Sequence, residues 1–358
     1  MSPVDEGAAA PRLAVPPTAS PMRWLRLISD AVTYGPPSAV VNFFTSAQRP
    51  VDPETVWRTF TRLYPRFLQA VIDHYPPPER RKRLITRMLD QSHAGGIEYH
   101  YDLSNEFYRL FLDKTFMFYS CADFLKADDT LEQAQLNKAN HILSLIDPKP
   151  GEAILELGCG WGSMLRHIHA HAGDLGSLSG YTLSHEQKRY IEENFGFNVM
   201  LEDFVTTDLG EERYDKIYSI GAMEHVRPGE IPALARKIYA ALKPGGRAVH
   251  HFFSLNGNDP HATSMVTAQL FFPGSILSLH GHHLAAAREA GFTLTNDSEH
   301  DYRPTLRAWF DNLVANRERA HQLVGVQQTN KYLAFFATSW AFFNLKEATL
   351  HRLVLVKG

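Results

Sequence analysis

Cysteine is scarce in this sequence: Cys121 and Cys159 are the only two among 358 residues. Two cysteines cannot build a disulfide framework, and their spacing is not that of a metal site, so we predict no metal ion and a reducing, cytoplasmic location. Long apolar runs are missing too. No stretch approaches the roughly 18 apolar residues of a membrane-spanning helix, and the first residues lack the charged start of a secretion signal. We expect a soluble protein, or one bound peripherally to the inner face of a membrane.

An excess of positive charge is also absent. The formal net charge is −3, whereas a dedicated nucleic-acid-binding protein normally carries a basic surface. We therefore predict no nucleic-acid partner. With 44% hydrophobic and 21% charged residues, the composition is that of an ordinary globular protein, which excludes a disordered or fibrous chain.

The chain divides into three parts. Residues 1–21 are rich in alanine and proline and are predicted to be a disordered tail. Over residues 22–95, apolar side chains recur at spacings of three and four, which predicts a small helical region. The glycine pair Gly95-Gly96 is interpreted as a hinge into a second domain, residues 96–358, which contains a helical insertion at about 257–291.

A basic cluster, Arg80-Arg81-Lys82-Arg83, lies in the helical region. It is either a solvated helix face or a contact for anionic lipid head groups. The N-terminal helices could dock on a bilayer or build a homodimer, and the sequence leaves both open.

From residue 153 onward, short apolar strands alternate with amphipathic helices. This alternation is typical of a parallel sheet with helices on both faces. The strands are predicted at Ala153–Leu157, Leu178–Tyr181, Asn198–Leu201, Lys216–Ile220, Arg247–Phe253 and Leu350–Lys357. We predict an α/β fold with a Rossmann-like parallel sheet, to which the small, mostly helical N-terminal region is added.

The first of these strands runs into a glycine-rich turn, Gly158-Cys-Gly160-Trp-Gly162, preceded by Glu156. Glycine has no Cβ and tolerates positive φ, so such a turn lets a nucleotide-like ligand approach the main chain. The motif alone is weak, since it serves NAD, FAD, S-adenosylmethionine or no ligand. Its glycines are one position tighter than G-x-G-x-x-G, and the second strand ends without a lone acid. Both features favour S-adenosylmethionine over a dinucleotide.

Two further strand ends carry polar side chains. After the third strand, Asp203 and Phe204 could hold an adenine by a hydrogen bond and stacking, or Asp203 could simply cap a helix. After the fourth, Glu224 and His225 reach the carboxyl edge of the sheet, where parallel sheets bind ligands. This pair is an acid-base or metal unit, or a helix cap, and the residues alone do not decide.

Six sequence blocks occur together and in order, and jointly they are more specific than any one alone. They are Tyr99–Tyr108, Tyr119–Ala122, Leu155–Gly162, Gly180–Gln187, Glu224–Val226, and Tyr302 with Thr305–Trp309. In these blocks the chain resembles the cyclopropane-fatty-acyl-phospholipid synthase family of S-adenosylmethionine-dependent methyltransferases, which includes mycolic acid methyltransferases. The resemblance covers roughly residue 96 to the C terminus. It implies a seven-stranded, Rossmann-like class I methyltransferase sheet with helices on both faces, and a helical insertion at about 257–291 that covers the substrate.

The resemblance also implies site residues. Positions that bind S-adenosylmethionine in the family correspond to Tyr119, Ser120, Gly158, Gly160, Thr182 and Gln187. Glu156 and Asp203, from the strand ends, complete the predicted cofactor-binding residues. Positions that hold a bicarbonate ion in the family's cyclopropane synthases correspond to Cys121, Glu224, His251 and Tyr302, with a main-chain group near Phe253. Without the resemblance, Cys121 would pass for a buried apolar residue, and His251 and Tyr302 for core side chains.

The implied substrate is an unsaturated fatty acyl chain, foremost in a phospholipid. A cis alkene is a poor nucleophile, so the enzyme must align it with the sulfonium methyl group in a dry pocket and tolerate a carbocation. Aromatic faces stabilise a cation without trapping it. A base beside the new methyl group can then remove a proton and close the ring. The predicted product is a cyclopropane fatty acid.

Two departures from the family bear on the step after methyl transfer. The fifth strand reads His250-His-Phe-Phe253, so two histidines compete for one role and a phenylalanine replaces a smaller aliphatic residue. The same carbocation could give a methyl-branched or methylene chain, or the scaffold could methylate a soluble isoprenoid or polyketide. His280, His282 and His283 add histidines to a helix, but they share no helix face well, so no metal site is predicted there.

Overall fold

The computed structural model describes residues 25, 36–63, 105–257, 271 and 277–358. The predicted tail, the basic cluster of residues 80–83, the hinge glycines and much of the helical insertion lie outside these residues. Among the described residues, no helix is long and apolar enough to cross a membrane.

The centre of the fold is one seven-stranded sheet in the order β3-β2-β1-β4-β5-β7-β6. Its strands are β1 (Ala153–Leu157), β2 (Ser177–Thr182), β3 (Asn198–Leu201), β4 (Tyr214–Ile220), β5 (Leu242–Leu255), β6 (Phe292–His300) and β7 (Ala348–Lys357). The first five strands run parallel, and β7 is antiparallel to both of its neighbours. Chain order reverses between β1 and β4, so the carboxyl ends of these strands border a crevice. The predicted seven-stranded α/β sheet is confirmed.

Strand β6 is the one that sequence analysis did not locate. It forms an edge of the sheet and pairs with β7. Most of its side chains are exposed or half-buried, and the run Thr293-Leu-Thr-Asn-Asp-Ser298 has little apolar content. An edge strand needs no apolar run on both faces, so its sequence carries little signal.

Helices cover the sheet. Within the described residues they are α1 (Pro36–Thr45), α2 (Pro53–Arg58), α3 (Asn105–Tyr108), α4 (Leu131–Ile146), α5 (Ser163–His171), α6 (His185–Phe195), α7 (Ile231–Ala241), α8 (His280–Ala290), α9 (Arg303–Ala315) and α10 (Arg317–Asn344). Several begin at side-chain caps: Thr130 accepts the Gln133 N–H before α4, and Ser184 accepts the Gln187 N–H before α6. Helix α10 carries the aromatic stripe of the C-terminal region and has a kink at Gly325.

The described N-terminal helices share a hydrophobic core with the C-terminal ones. The ring of Trp57 lies 4.8 Å from that of Phe310 and 5.8 Å from that of Trp340. The amide of Asn330 donates to two carbonyl oxygens in the turn after α1, at 3.1 and 2.8 Å. Helices α1 and α2 therefore pack against α9 and α10, while the domain boundary at residue 95 stays a prediction because it lies outside the described residues.

Candidate functional site

The turn between β1 and α5 needs glycine both for its backbone conformation and for its close packing. Gly158, Gly160 and Gly162 have φ angles of 77°, 52° and 74°, which glycine adopts without strain. A Cβ on Gly158 would lie 2.8 Å from the Cβ of Ala222. Cys159 N donates to Tyr181 O at 2.8 Å, which ties the turn to the end of β2. The packing therefore requires glycine at position 158.

A cavity of about 290 Å³ opens at this turn. It lies at the carboxyl ends of β1, β2 and β4, the edge at which parallel α/β sheets bind ligands. All eight predicted cofactor-binding residues line it, namely Tyr119, Ser120, Glu156, Gly158, Gly160, Thr182, Gln187 and Asp203. The fold thus brings motifs from four separate stretches of the chain to one space.

Two polar groups on the cavity wall are fixed by hydrogen bonds before any ligand arrives. Thr182 Oγ1 donates to Gln187 Oε1 at 2.7 Å, and Ser184 N donates to Thr182 Oγ1 at 3.2 Å. Asp203 Oδ1 accepts the Val205 N–H at 2.8 Å. Asp203 therefore caps a turn and not a helix, and it lines the cavity as well.

Glu156 contributes a carboxyl group that burial keeps neutral near pH 7. Only 3% of the residue is exposed, and Tyr218 donates its hydroxyl to Glu156 Oε2 at 2.7 Å. Burial raises the pKa of Glu156 to about 8. A protonated carboxyl group at the cavity wall can donate a hydrogen bond as well as accept one.

The loop that carries Tyr119 and Ser120 is held by two buried charged residues that sequence analysis missed. Asp113 accepts the main-chain N–H groups of residues 116, 117 and 118. Lys138 Nζ donates to Ser120 Oγ at 2.8 Å and lies 3.6 Å from the centre of the Phe118 ring. Burial lowers the pKa of Lys138 to about 7. These contacts fix the loop against α4, and neither residue belongs to a recognisable motif.

The four predicted catalytic residues are not among those that line this cavity. Cys121 is fully buried, and its Sγ lies 3.6 Å from the main-chain oxygen of Asp301, the residue before Tyr302. Thr305 Oγ1 accepts the Ala122 N–H at 2.9 Å, which fastens the loop to the start of α9. Burial raises the pKa of the Cys121 thiol to about 12, so it is a neutral donor and not a thiolate nucleophile.

Glu224 lies on the helical turn Met223–His225 directly after β4. Its Oε2 is buried and has no hydrogen-bond partner among the described residues. Burial raises the pKa of Glu224 to about 8. The neighbouring His225 instead lines the cavity, so the two side chains of this pair point to different places. A buried carboxyl oxygen without a partner costs free energy, which is typical of a group that awaits a ligand.

His251 is oriented by an arginine that sequence analysis did not single out. Arg352 Nε donates to His251 Nδ1 at 3.0 Å. Arginine has no acceptor, so Nδ1 must accept and the imidazole proton resides on Nε2. That Nε2 is buried and has no partner among the described residues. Burial, reinforced by the positive charge of Arg352, holds the pKa of His251 well below its usual value. His251 is thus a neutral imidazole with one N–H group directed away from Arg352.

Arg352 is itself held rigidly. It is 0% exposed and donates to both carboxylate oxygens of Asp123, at 2.8 and 2.7 Å. The second histidine of the strand, His250, has its Nδ1 2.8 Å from Ser219 Oγ. The two histidines therefore have different partners, and His251 is the one that contacts Arg352.

Aromatic rings surround Tyr302. Its ring centre lies 5.0 Å from that of Phe343, 5.8 Å from that of Trp309 and 6.4 Å from that of Phe253. The rings come from β5, α9 and α10, so tertiary structure and not sequence proximity assembles them. Such a wall excludes water and offers π faces to a cationic species.

Comparison with known proteins matches this architecture to one family. Residues 89–353 fit the family model described as mycolic acid cyclopropane synthetase. The chain belongs to the mycolic acid cyclopropane synthetase family. A probable fatty acid methyltransferase of Pseudomonas putida is 31% identical over 293 residues, which cover 78% of this chain and 72% of that protein. The cyclopropane-fatty-acyl-phospholipid synthase of Escherichia coli K12 is 33% identical over 221 residues, 60% of this chain and 56% of that protein.

Solved structures agree with the sequence comparison. Mycolic acid cyclopropane synthase CmaA1, complexed with SAH and CTAB, superposes with a TM-score of 0.66 at 27% identity. The match covers 75% of this chain and 99% of that one. This member of the cyclopropane synthetase family is accordingly an S-adenosylmethionine-dependent methyltransferase with a class I methyltransferase sheet.

Proposed function

We propose that this cyclopropane synthetase family member methylates the cis double bond of an unsaturated fatty acyl chain, foremost in a phospholipid, and forms a cyclopropane ring. The observation that carries the proposal is a pair of buried, unsatisfied groups beside the cofactor cavity. Glu224 Oε2 and His251 Nε2 both lack a partner among the described residues. The names of the Escherichia coli and Pseudomonas putida relatives support a fatty acyl substrate.

The residues of the cavity suit S-adenosylmethionine, which supplies an electrophilic methyl group on a sulfonium sulfur. The glycine turn would bind the cofactor's polar groups with its main chain, because Gly160 lines the cavity and has no heavy atom within 4 Å of where a Cβ would lie. Thr182 and Gln187 present a fixed polar edge, and Asp203 with Phe204 offers an acceptor and a ring for an adenine. We propose all eight lining residues from the sequence prediction as the cofactor site.

The groups behind the cavity suit a small oxyanion such as bicarbonate, which would supply a base for the proton lost on ring closure. His251 would donate from Nε2, since Arg352 fixes its tautomer. Glu224, protonated near pH 7, would share its proton with an oxygen of the ion. The Cys121 thiol and the Tyr302 hydroxyl would complete the donor set. Neutral partners can hold the ion without neutralising its basicity, as strong cationic partners would.

The aromatic wall is proposed to favour methyl transfer to an alkene. Phe253, Tyr302 and Phe343 would exclude water from the acyl chain and stabilise positive charge through their π faces. Phe253 is bulkier than the aliphatic residue usual in the family. Its size bears on whether the carbocation closes to a cyclopropane ring, as proposed, or gives a branched chain. Contact with a membrane surface and a homodimer stay predictions, because residues 80–83 lie outside the described residues.

The test is methyl transfer from radiolabelled S-adenosylmethionine to liposomes of cis-unsaturated phosphatidylethanolamine. We expect label in the acyl chains and a product that mass spectrometry and proton NMR identify as a cyclopropane. Liposomes of saturated lipid are the control and should remain unlabelled. Absence of label in the unsaturated acyl fraction, from protein that binds the cofactor in calorimetry, would refute the substrate assignment. A methyl-branched product would refute the ring closure alone.

A further inference from the structure

A cluster of metal-ligating side chains lies on the opposite face of strands β5 to β7 from His251. It is formed by His280 at the start of α8, Asp297 on β6 and His351 on β7. His280 Nε2 lies 2.9 Å from Asp297 Oδ2, and His351 Nδ1 lies 3.3 Å from Asp297 Oδ1. One ligand atom from each residue lies within 4.8 Å of the other two. Three elements thus present two nitrogens and a carboxylate to one point.

The two imidazole rings are arranged in parallel. Their centres are 3.6 Å apart and their planes differ by 9°. Both rings direct a nitrogen at the same carboxylate, although the residues are 71 positions apart (351 − 280). A metal ion binds an imidazole nitrogen in the plane of its ring, so an ion shared by both nitrogens requires one of the two rings to rotate out of this stack. The carboxylate between them supplies the compensating charge.

The distances are close to those of a bound transition metal. Tetrahedral Zn²⁺ with ligands at about 2.1 Å requires ligand atoms about 3.4 Å apart. The separations are 2.9 Å from His280 Nε2 to Asp297 Oδ2 and 3.3 Å from His351 Nδ1 to Asp297 Oδ1, so side-chain movements would be needed to bring the three ligand atoms to that spacing around one ion. The side chains of His280 and Asp297 are 18% and 27% exposed, which leaves a route for the ion and a fourth position for water.

The chemistry of the ligands selects the ion. Imidazole nitrogen with a single carboxylate favours Zn²⁺, Co²⁺, Ni²⁺ and Cu²⁺, whereas Mg²⁺ and Ca²⁺ prefer oxygen ligands throughout. We propose that His280, Asp297 and His351 bind one Zn²⁺ ion that fastens the start of α8 to the edge strands β6 and β7. This assigns a use to His280 that the sequence does not suggest, because its partners are distant along the chain.

The other two histidines of the same helix have different surroundings. His283 Nε2 lies 2.6 Å from Ser278 Oγ, and its ring packs 4.4 Å from that of Phe252. His282 is exposed. His282 is therefore a matched control: it has the same side chain, lies two residues from His280 on α8 and takes no part in the cluster.

The experiment is Zn²⁺ titration of tag-free, chelator-treated full-length protein against a chromophoric competitor, with thermal unfolding as a second readout. We expect one tight equivalent and a higher unfolding temperature in the wild type and in His282→Gln. His280→Gln and Asp297→Asn change partly exposed residues on two different elements. In both variants the affinity for Zn²⁺ should fall by at least about tenfold, and Zn²⁺ should no longer raise the unfolding temperature. Circular dichroism checks that each variant is folded.

Cobalt gives an independent signal. Co²⁺ in the proposed site should show the visible absorption of a low-coordinate nitrogen and oxygen environment in the wild type, and lose it in Asp297→Asn. Wild-type protein that takes up no Zn²⁺ would overturn the proposal. Folded His280→Gln and Asp297→Asn variants that bind Zn²⁺ as tightly as His282→Gln would overturn it equally.

Discussion

The substitution Arg352→Lys separates the charge of this residue from its hydrogen bond to His251. Lysine keeps a positive charge near Asp123, but its single ammonium group cannot reproduce the planar fork that reaches Asp123 and His251 together. A hydrogen bond from a charged donor contributes roughly 1.5 to 3 kcal/mol. Since about 1.36 kcal/mol corresponds to a tenfold change in rate, kcat should fall roughly 10- to 150-fold. Cofactor affinity should change little, because Arg352 does not line the cavity.

The assay is methyl transfer to unsaturated liposomes, measured alongside the Kd for S-adenosylmethionine and urea unfolding. Arg247→Lys is the control, because Arg247 lies on the adjacent strand and donates to the carbonyl oxygen of Leu145 at 2.7 Å. If Arg352 acts through His251, adding Arg352→Lys to His251→Ala should cost little further activity. The reasoning is refuted if a folded Arg352→Lys variant keeps wild-type kcat, or if its effect is undiminished in the His251→Ala background.

Three other substitutions test the site. Gly158→Ala should weaken S-adenosylmethionine binding by at least about tenfold in calorimetry, because its Cβ would lie 2.8 Å from Ala222 at a φ of 77°. Gly151→Ala, at a similar φ of 82° but with open space around it, is the control for backbone strain. Equal binding of the cofactor by both variants would contradict the argument. His251→Ala and Glu224→Gln should leave that binding nearly intact while turnover collapses, and loss of binding would move these residues into the cofactor site. Glu224 also predicts a pH effect: its pKa rises from 4.5 to about 8 on folding, so its contribution to stability is full below pH 4.5 and is lost as the pH rises through 8. The free energy of urea unfolding should fall by a few kcal/mol over that window relative to Glu224→Gln, and parallel pH curves for the two proteins would contradict it.

The sequence alone determined the features that depend on local patterning. The apolar run Ala153–Leu157 and the glycines after it specify a buried strand and an open turn, because burial periodicity and the need for positive φ are read from neighbouring residues. The same holds for the capped start of α6. The eight predicted cofactor residues lie near strand ends, in the first turn of α6 or in the loop before α4, and a parallel sheet brings such positions to one edge.

Tertiary structure decided which side chains meet across the sheet. Arg352 reaches His251, 101 residues away, only because the antiparallel pairing of β5 and β7 sets these two residues opposite each other. A shift of one residue in that register would have placed His250 there instead. The cluster of His280, Asp297 and His351 likewise depends on the position of edge strand β6, whose sequence carries no clear strand pattern. Local sequence encodes which face of an element is buried, whereas the identity of the residue opposite depends on strand order and register, which only the folded chain fixes.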